Sequence, residues 1–136
     1  AATFWYLEYL ALGGRIEFQE LTRDLLTGPL SAGQPILTGL SATYLYDSAR
    51  EVDRDGRLLY DDVHGEPTGH FVVLCGYDPG RDEVLVADPL VEKPRYGGHQ
   101  YVVSSARLLT AMVLGILTYD ANLLILEPGP AKEDIP

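Results

Sequence analysis

The sequence has a single cysteine, Cys75, among its 136 residues. One cysteine excludes an internal disulfide and any metal site built from several cysteines. The lack of disulfides fits a reducing compartment, so we expect a cytoplasmic protein. No apolar run approaches the ~18 residues that a membrane-spanning helix needs, and no signal-peptide pattern opens the chain.

Basic residues are also scarce. Lysine and arginine number 10 against 20 aspartates and glutamates, which gives a formal net charge of −10. Such a charge repels nucleic acids and anionic membrane surfaces, so we expect neither as a partner. An apolar fraction of 46% with 22% charged residues is typical of a globular chain rather than a disordered one, and the length fits one domain.

The two ends of the chain favour a piece of a longer protein. There is no initiator methionine, and the sequence enters a helical pattern at once with "AATFWYLEYL". The other end, "EPGPAKEDIP", is proline-rich and charged, which is typical of a tail or linker. We therefore expect residues 1–128 to form a partial domain and residues 129–136 to be a tail or linker towards a further domain.

Apolar periodicity places helices first and strands later. This order predicts an α+β fold with a mostly antiparallel sheet and one late helix. The segment "SATYLYDSAR" (41–50) has helical or turn-like character. The other predicted elements are helices at 3–12, 16–26 and 105–117, strands at 33–40, 70–77, 83–88, 100–104 and 122–128, and a long surface loop at 51–69.

Two apolar strands joined by "DPGRD" predict a β-hairpin that places His70 near Asp88. A turn centred on Pro79 puts the two residues opposite each other, and a centre at Gly80 leaves them diagonal on one face. Opposed Cβ atoms lie about 4.5–5.5 Å apart, so the carboxylate could fix the imidazole tautomer and stabilise the imidazolium. The alternative is a satisfied polar pair at a sheet edge.

Apolar residues on both faces of this hairpin predict that it lies in the middle of the sheet, covered on each side. Cys75 follows His70 by five residues on the same strand, so their side chains point to opposite faces, roughly 16 Å apart along the strand. The apolar run around Cys75 predicts an inert core thiol. No Gly-x-Ser-x-Gly sequence offers a serine nucleophile instead.

Metal binding is a weaker alternative for the region. The possible ligands are Asp61, Asp62, His64, His70, Asp88 and His99. Their spacing matches no metal motif, such as two histidines four residues apart on a helix, so we expect no metal and no cofactor. If a metal did bind, residues 61–64 with His70 would hold it. Otherwise His64 and His99 are expected to be solvated loop residues.

Three stretches resemble a known family when taken in order: "L-x-x-G-x-P-I-L" (30–37), "GHFVVLCGYD" (69–78) and "VLVADP" (84–89). They are similar to papain-like cysteine peptidases of the bacterial double-glycine, bacteriocin-processing type and to related peptidase-like domains, over roughly residues 30–128. The resemblance implies a papain-like fold, with a helical lobe packed on an antiparallel sheet and the site between them. It also implies that His70 is the general base and Asp88 its orienting residue.

The sequence departs from this family at the nucleophile. The family's cysteine opens a helix in the N-terminal lobe, shortly after an oxyanion-hole glutamine. No cysteine precedes Cys75 here, and neither Gln19 nor Gln34 is followed by one. We therefore expect no peptidase activity from this chain and a nucleophile that was lost or lies outside it.

The alternative function is a non-catalytic, papain-like binding or regulatory module attached to another domain. In either case the expected partner is a peptide or protein. The cleft by His70 would be bordered by residues 51–69 and ringed by tyrosines, namely Tyr44, Tyr46, Tyr60 and Tyr96.

Overall fold

The structure is a computed structural model that describes residues 2–116 and 122–129. Within these residues, no helix has both the length and the apolar composition needed to traverse a bilayer. The elements in chain order are α1 (Ala2–Ala11), α2 (Arg23–Ser31), β1 (Ile36–Ser41), α3 (Ala42–Tyr46), β2 (Glu51–Arg54), β3 (Arg57–Tyr60), β4 (Gly69–Asp78), β5 (Glu83–Ala87), β6 (Gln100–Ser104), α4 (Ser105–Gly115) and β7 (Leu123–Ile125).

Five of the strands form one sheet in the order β6-β5-β4-β1-β7, and β2 pairs with β3 in a separate two-stranded sheet. Every strand pairing is antiparallel. The predicted α+β class with a mostly antiparallel sheet is confirmed. The predicted β4–β5 hairpin is also present, and β4 occupies the middle of the large sheet.

One hydrophobic core lies between the sheet and helices α2, α3 and α4. Alternation along the strands sends every second side chain into this core. The apolar side chains that are fully or almost fully buried in it include Leu26, Ile36, Leu40, Leu45, Val72, Leu74, Val84, Val86 and Leu108.

The prediction that the hairpin is covered on both faces is wrong. On the face away from the helices, Phe71 of β4 is 49% exposed and Val102 of β6 is 52% exposed. Helices α2, α3 and α4 all contribute to a single core on the other face of the sheet. The apolar residues at outward-facing positions therefore indicated a β-strand correctly, but they did not indicate burial.

Helix α1 confirms the helix predicted at 3–12, and Gly13 follows its end with a φ of 92°. The predicted apolar stripe of Phe4, Leu7 and Leu10 is nevertheless exposed, as is every other α1 residue from 4 to 11. The periodicity identified the helix correctly, but its apolar side chains do not join the core.

The second predicted helix, 16–26, is displaced in the structure. Residues 14–22 form no helix, and α2 begins only after Thr22, whose side chain accepts a hydrogen bond from the Leu25 backbone N–H. A threonine in extended conformation that accepts from the third residue of the helix is an N-cap. The apolar residues that suggested an earlier start, Ile16 and Phe18, are exposed.

The end of α2 also differs from the prediction, because Gly28 and Pro29 lie inside the helix. A proline costs the helix one backbone hydrogen bond, whereas continuation buries Leu30 one turn after Leu26. Gly33, with a φ of 76°, ends the helix. Its N–H donates to the Leu30 carbonyl, and the Gln34 N–H donates to the Pro29 carbonyl, which is a Schellman arrangement.

The prediction of a long surface loop at 51–69 is wrong, because β2 and β3 form a hairpin within this segment. The turn residues Asp55 and Gly56 have φ values of 57° and 74°. Two consecutive residues with positive φ are typical of a type I′ turn, for which Asp-Gly is a favoured pair. The strands are short and their side chains are half-buried or exposed, so no apolar alternation marked them.

The remaining predictions agree with the structure where it describes the chain. The segment 41–50 contains α3, and residues 100–104 form β6. Helix α4 begins after Ser104, whose side chain accepts from the Arg107 N–H. The strand predicted at 122–128 is present as the shorter β7. Leu117 and the predicted tail from residue 130 onwards lie outside the described residues.

Candidate active site

The register between β4 and β5 decides how His70 and Asp88 meet. Val73 pairs with Ala87 and Leu74 with Val86, and the register then shifts at a bulge between Leu74 and Gly76. This pairing corresponds to the turn centred at Gly80, not the one centred at Pro79. The prediction that the two site residues lie directly opposite each other is therefore wrong. They are diagonal neighbours on the core face. His70 itself pairs with Leu40 of β1.

The diagonal placement still brings the two side chains into hydrogen-bond contact. His70 Nε2 lies 2.9 Å from Asp88 Oδ1. The Asp88 side chain is completely buried, while 24% of the His70 side chain is exposed. Nδ1 of His70 has no hydrogen-bond partner among the described residues. The ring is thus held through one nitrogen and can exchange a proton through the other.

Asp88 receives several further hydrogen bonds. The hydroxyls of Tyr46 and Tyr101 donate to Oδ2 at 2.6 and 2.7 Å, and the Leu90 backbone N–H donates to Oδ1 at 2.8 Å. Burial opposes the charge, but the donors, led by Tyr46, Tyr101 and His70, outweigh it and lower the pKa of Asp88 to about 2. The carboxylate is therefore ionised at neutral pH and faces the imidazole.

The same network acts on the two tyrosines. Burial together with the adjacent Asp88 carboxylate raises the pKa of Tyr46 and of Tyr101. Both phenols are therefore protonated donors at neutral pH. Tyr101 is also fixed by the ring of Tyr96, which stacks on it at a centroid distance of 4.2 Å.

A lysine and a histidine anchor the chain that follows Asp88. The Lys93 side chain is completely buried, and its Nζ donates to the carbonyls of Leu90 and Gly98 at 2.5 and 2.6 Å. It lies 4.0 Å from Asp88 Oδ2. His99 is exposed, but its Nδ1 lies 2.9 Å from the Asp88 carbonyl oxygen, and its own carbonyl accepts from the Asp88 N–H.

Sequence reasoning missed Tyr46, Tyr101 and Lys93 as part of this site. Tyr46 had been placed only at the rim of the cleft, whereas it donates to Asp88 from 42 residues away along the chain. Neither Tyr101 nor Lys93 belongs to a recognisable sequence motif. The available signal was the register of β5 with β6, which pairs Tyr101 with Val86 on the core face, two residues before Asp88.

The position of Cys75 agrees in part with its prediction. It lies at the β4 bulge and is exposed, whereas Val72 and Leu74 of the same strand face the core with His70. Cys75 therefore lies on the face opposite His70, as predicted from strand alternation. The prediction of a buried core thiol is wrong, because no described helix packs on that face. Partial burial raises the pKa of the Cys75 thiol, so it lacks the lowered pKa of a catalytic cysteine.

A small groove opens beside His70. Its walls come from α3, the start of β2, the end of β3, the entry to β4 and the segment after Asp88. Residues 51–69 therefore border the cleft as predicted. Of the four tyrosines expected there, Tyr46 and Tyr60 line the groove, Tyr44 lines a neighbouring depression, and Tyr96 stacks on Tyr101 instead.

The metal alternative finds no support in the described part of the chain, which contains no group of three potential metal-ligating side chains. His64 pairs with Asp61 at 2.9 Å, away from His70, and is exposed as predicted. This pairing is the main cause of an Asp61 pKa lowered to about 2. Residues 61–64 and His70 thus make separate contacts and do not form one group of ligands in the described structure.

An antiparallel sheet covered by helices on one face, with an imidazole–carboxylate pair on that face, defines a papain-like α+β domain of the peptidase-like class. The model of the Peptidase_C39 like family matches residues 9–104, and the chain belongs to this family. No curated protein and no solved structure matches the chain.

Proposed function

We propose that this chain is the histidine–aspartate part of a cysteine peptidase-like domain of the double-glycine type. The observation that carries the proposal is the 2.9 Å contact between His70 Nε2 and the ionised Asp88, which leaves Nδ1 free at the groove. The proposed partner is a peptide or protein, and the proposed location is the cytoplasm.

In the proposed reaction His70 moves the proton and Asp88 holds its ring. A cysteine thiol transfers its proton to Nδ1, and the resulting thiolate attacks a peptide carbonyl. The imidazolium then protonates the leaving amine, which departs as the thioester forms. Water, deprotonated by the neutral imidazole, hydrolyses the thioester and restores the thiol. Asp88 stabilises each imidazolium and keeps the proton on Nε2 when the ring is neutral.

The nucleophile in this proposal comes from outside the 136 residues. Cys75 is the single cysteine of the chain, and it lies on the opposite face of the sheet from His70. The chain alone is therefore proposed to be inactive as a peptidase. The thiolate would be supplied by a segment that precedes Ala1.

The test is the rate of thiol alkylation by iodoacetamide in a form of the protein extended upstream of Ala1. A Cys75→Ser background removes the other thiol. We expect one cysteine that reacts faster than free cysteine at pH 6, because the imidazolium stabilises its thiolate. His70→Ala should remove this advantage, and His64→Ala, which changes an exposed histidine paired elsewhere, should not. An extended protein without a reactive thiol that depends on His70 would overturn the enzymatic proposal.

The second candidate is a non-catalytic binding module. The observation that favours it is the absence of a cysteine before residue 75, so the groove could hold a peptide without cleaving it. In that case His70→Ala would leave peptide binding largely intact, and the extended protein would show no turnover of any peptide.

A further inference from the structure

The groove beside His70 has an uneven charge. It has a volume of about 120 Å³, well below the ~300 Å³ at which sites for whole drug-sized ligands begin. A space of this size accommodates a side chain of a bound peptide. Two glutamates, Glu51 and Glu92, line it on different segments, and no lysine or arginine is among its lining residues in the described chain.

Neither glutamate has an ion-pair partner among the described residues. The two cations of the segment that follows Asp88 are committed elsewhere. Arg95 pairs with Asp47 at 3.2 Å, and the buried Lys93 donates to two backbone carbonyls. The negative charge of the groove is thus left for a ligand to neutralise.

Tyr60 adds a second feature that suits a cation. It lines the same groove, and its side chain is largely exposed. The face of a tyrosine ring attracts an ammonium or guanidinium group within about 6 Å of its centroid. An aromatic ring and two carboxylates along one small groove form a recognition surface for a lysine or arginine side chain.

We propose that this groove selects peptides that place an arginine or lysine side chain beside His70, with Glu51 and Glu92 as the specificity-determining residues. The inference rests on the proposed function, because it names the class of peptide that the His70 site receives. The basic side chain binds in the groove, and the adjacent backbone of the peptide lies next to the free Nδ1 of His70.

The test measures peptide binding to the 136-residue chain by calorimetry, with the His70 ring signals followed by NMR. The probes are acetylated, amidated pentapeptides Ala-Ala-X-Ala-Ala in which X is arginine, norleucine or glutamate, so that only X changes the charge. We expect the arginine peptide to bind most tightly and to shift the His70 signals. Glu51→Gln and Glu92→Gln should each reduce its affinity by about two- to fivefold.

Glu83→Gln is the matched control, because it removes the same charge at the turn end of β5, outside the groove. It should leave the preference for arginine unchanged. Equal binding of the three peptides, no measurable binding of any, or an equal effect of Glu83→Gln would overturn the inference. These outcomes are independent of the alkylation test, in which loss of the reactive thiol would overturn the proposed function alone.

Discussion

At the scale of single residues, the site depends on how Asp88 is kept charged inside the protein. A buried carboxylate without donors would be neutral at a higher pH than an exposed one. Four donors reverse this effect, from His70, Tyr46, Tyr101 and the Leu90 backbone. Asp88 thus contributes both to the stability of the fold and to the orientation of His70.

The lowered pKa of Asp88 predicts a loss of stability in acid. Its folded pKa of about 2 lies below the ordinary value of 3.8, so the folded state binds this proton less readily than the unfolded state. The contribution, about 2 kcal/mol, is complete above pH ~4 and is lost as the pH falls towards 2. Urea unfolding of the wild type and of Asp88→Asn between pH 7 and pH 2.5 measures it.

The stability of Asp88→Asn should be lower at pH 7 and should fall less steeply below pH 4. Asp61 and Asp82, whose pKa values are also lowered, remain in both proteins and contribute equally to both slopes. Identical slopes for the two proteins would show that Asp88 is not held in its charged form by the fold.

The two tyrosines offer a finer test of the same network. Tyr46→Phe or Tyr101→Phe removes one donor to Oδ2 while keeping the ring, so each should raise the pKa of Asp88 and cost about 1–3 kcal/mol of unfolding free energy. The carboxyl carbon signal of Asp88 in an NMR titration gives the pKa. Tyr44→Phe is the control, since no hydrogen bond from its hydroxyl is present in the described residues, and it should change neither quantity.

At the same scale, the sequence indicated part of the site and could not indicate the rest. Strand parity and the hairpin turn were enough to place His70 and Asp88 on one face. Tyr46 comes from a different element, and its contact depends on how α3 packs on the sheet. Strand parity also placed Cys75 on the opposite face, but its exposure depends on that face being uncovered by the described helices, which the apolar run "VVLCGYD" did not indicate.

At the scale of elements, the close packing of α4 on β1 depends on Gly115. A Cβ atom added there would lie 2.8 Å from Leu40 Cα and 3.0 Å from the Leu40 carbonyl carbon. These are backbone atoms that cannot rotate away, so the helix itself would have to move. Since Leu40 also pairs with His70, this packing supports the strand that carries the site.

Gly115→Ala should therefore destabilise the protein by about 1–3 kcal/mol. Gly28→Ala is the matched control, because Gly28 also lies in a helix but has open space where its Cβ would be. It should change the unfolding free energy by less than about 0.5 kcal/mol, because the gain in helix propensity is opposed by the restriction that Pro29 places on a preceding Cβ. Thermal unfolding of the two variants compares the two changes. Equal shifts would show that α4 does not approach β1 this closely.

Elements were predictable where burial and local propensity agree. Strands β1, β4 and β5 and helix α4 have both, and their positions followed from the sequence. The boundaries of α2 did not, because the exposed Ile16 and Phe18 suggested a helix before the Thr22 cap. The β2–β3 hairpin was missed because its single local signal is the Asp55-Gly56 turn, without the alternation that burial would impose.

At the scale of the whole molecule, stability should be distributed unevenly. Helix α1 has ten residues, and those from 4 to 11 are exposed. An isolated helix of this length is marginal in water, whereas β4 and β5 are bonded on both edges and contribute to the core. The net charge of −10 makes molecules of this protein repel one another, but this repulsion does not stabilise the exposed helix α1.

Amide hydrogen exchange should separate these regions. We expect the α1 amides to exchange through local opening, at least about a hundredfold faster than the amides of β4 and β5, which should exchange near the limit set by global unfolding. Leu7→Ala, at a 62% exposed position, should leave the unfolding free energy nearly unchanged. Leu74→Ala, at a completely buried one, should cost about 2–5 kcal/mol. Protection of α1 equal to that of β4, or similar costs for the two leucines, would mean that the apolar side chains of α1 are buried in solution.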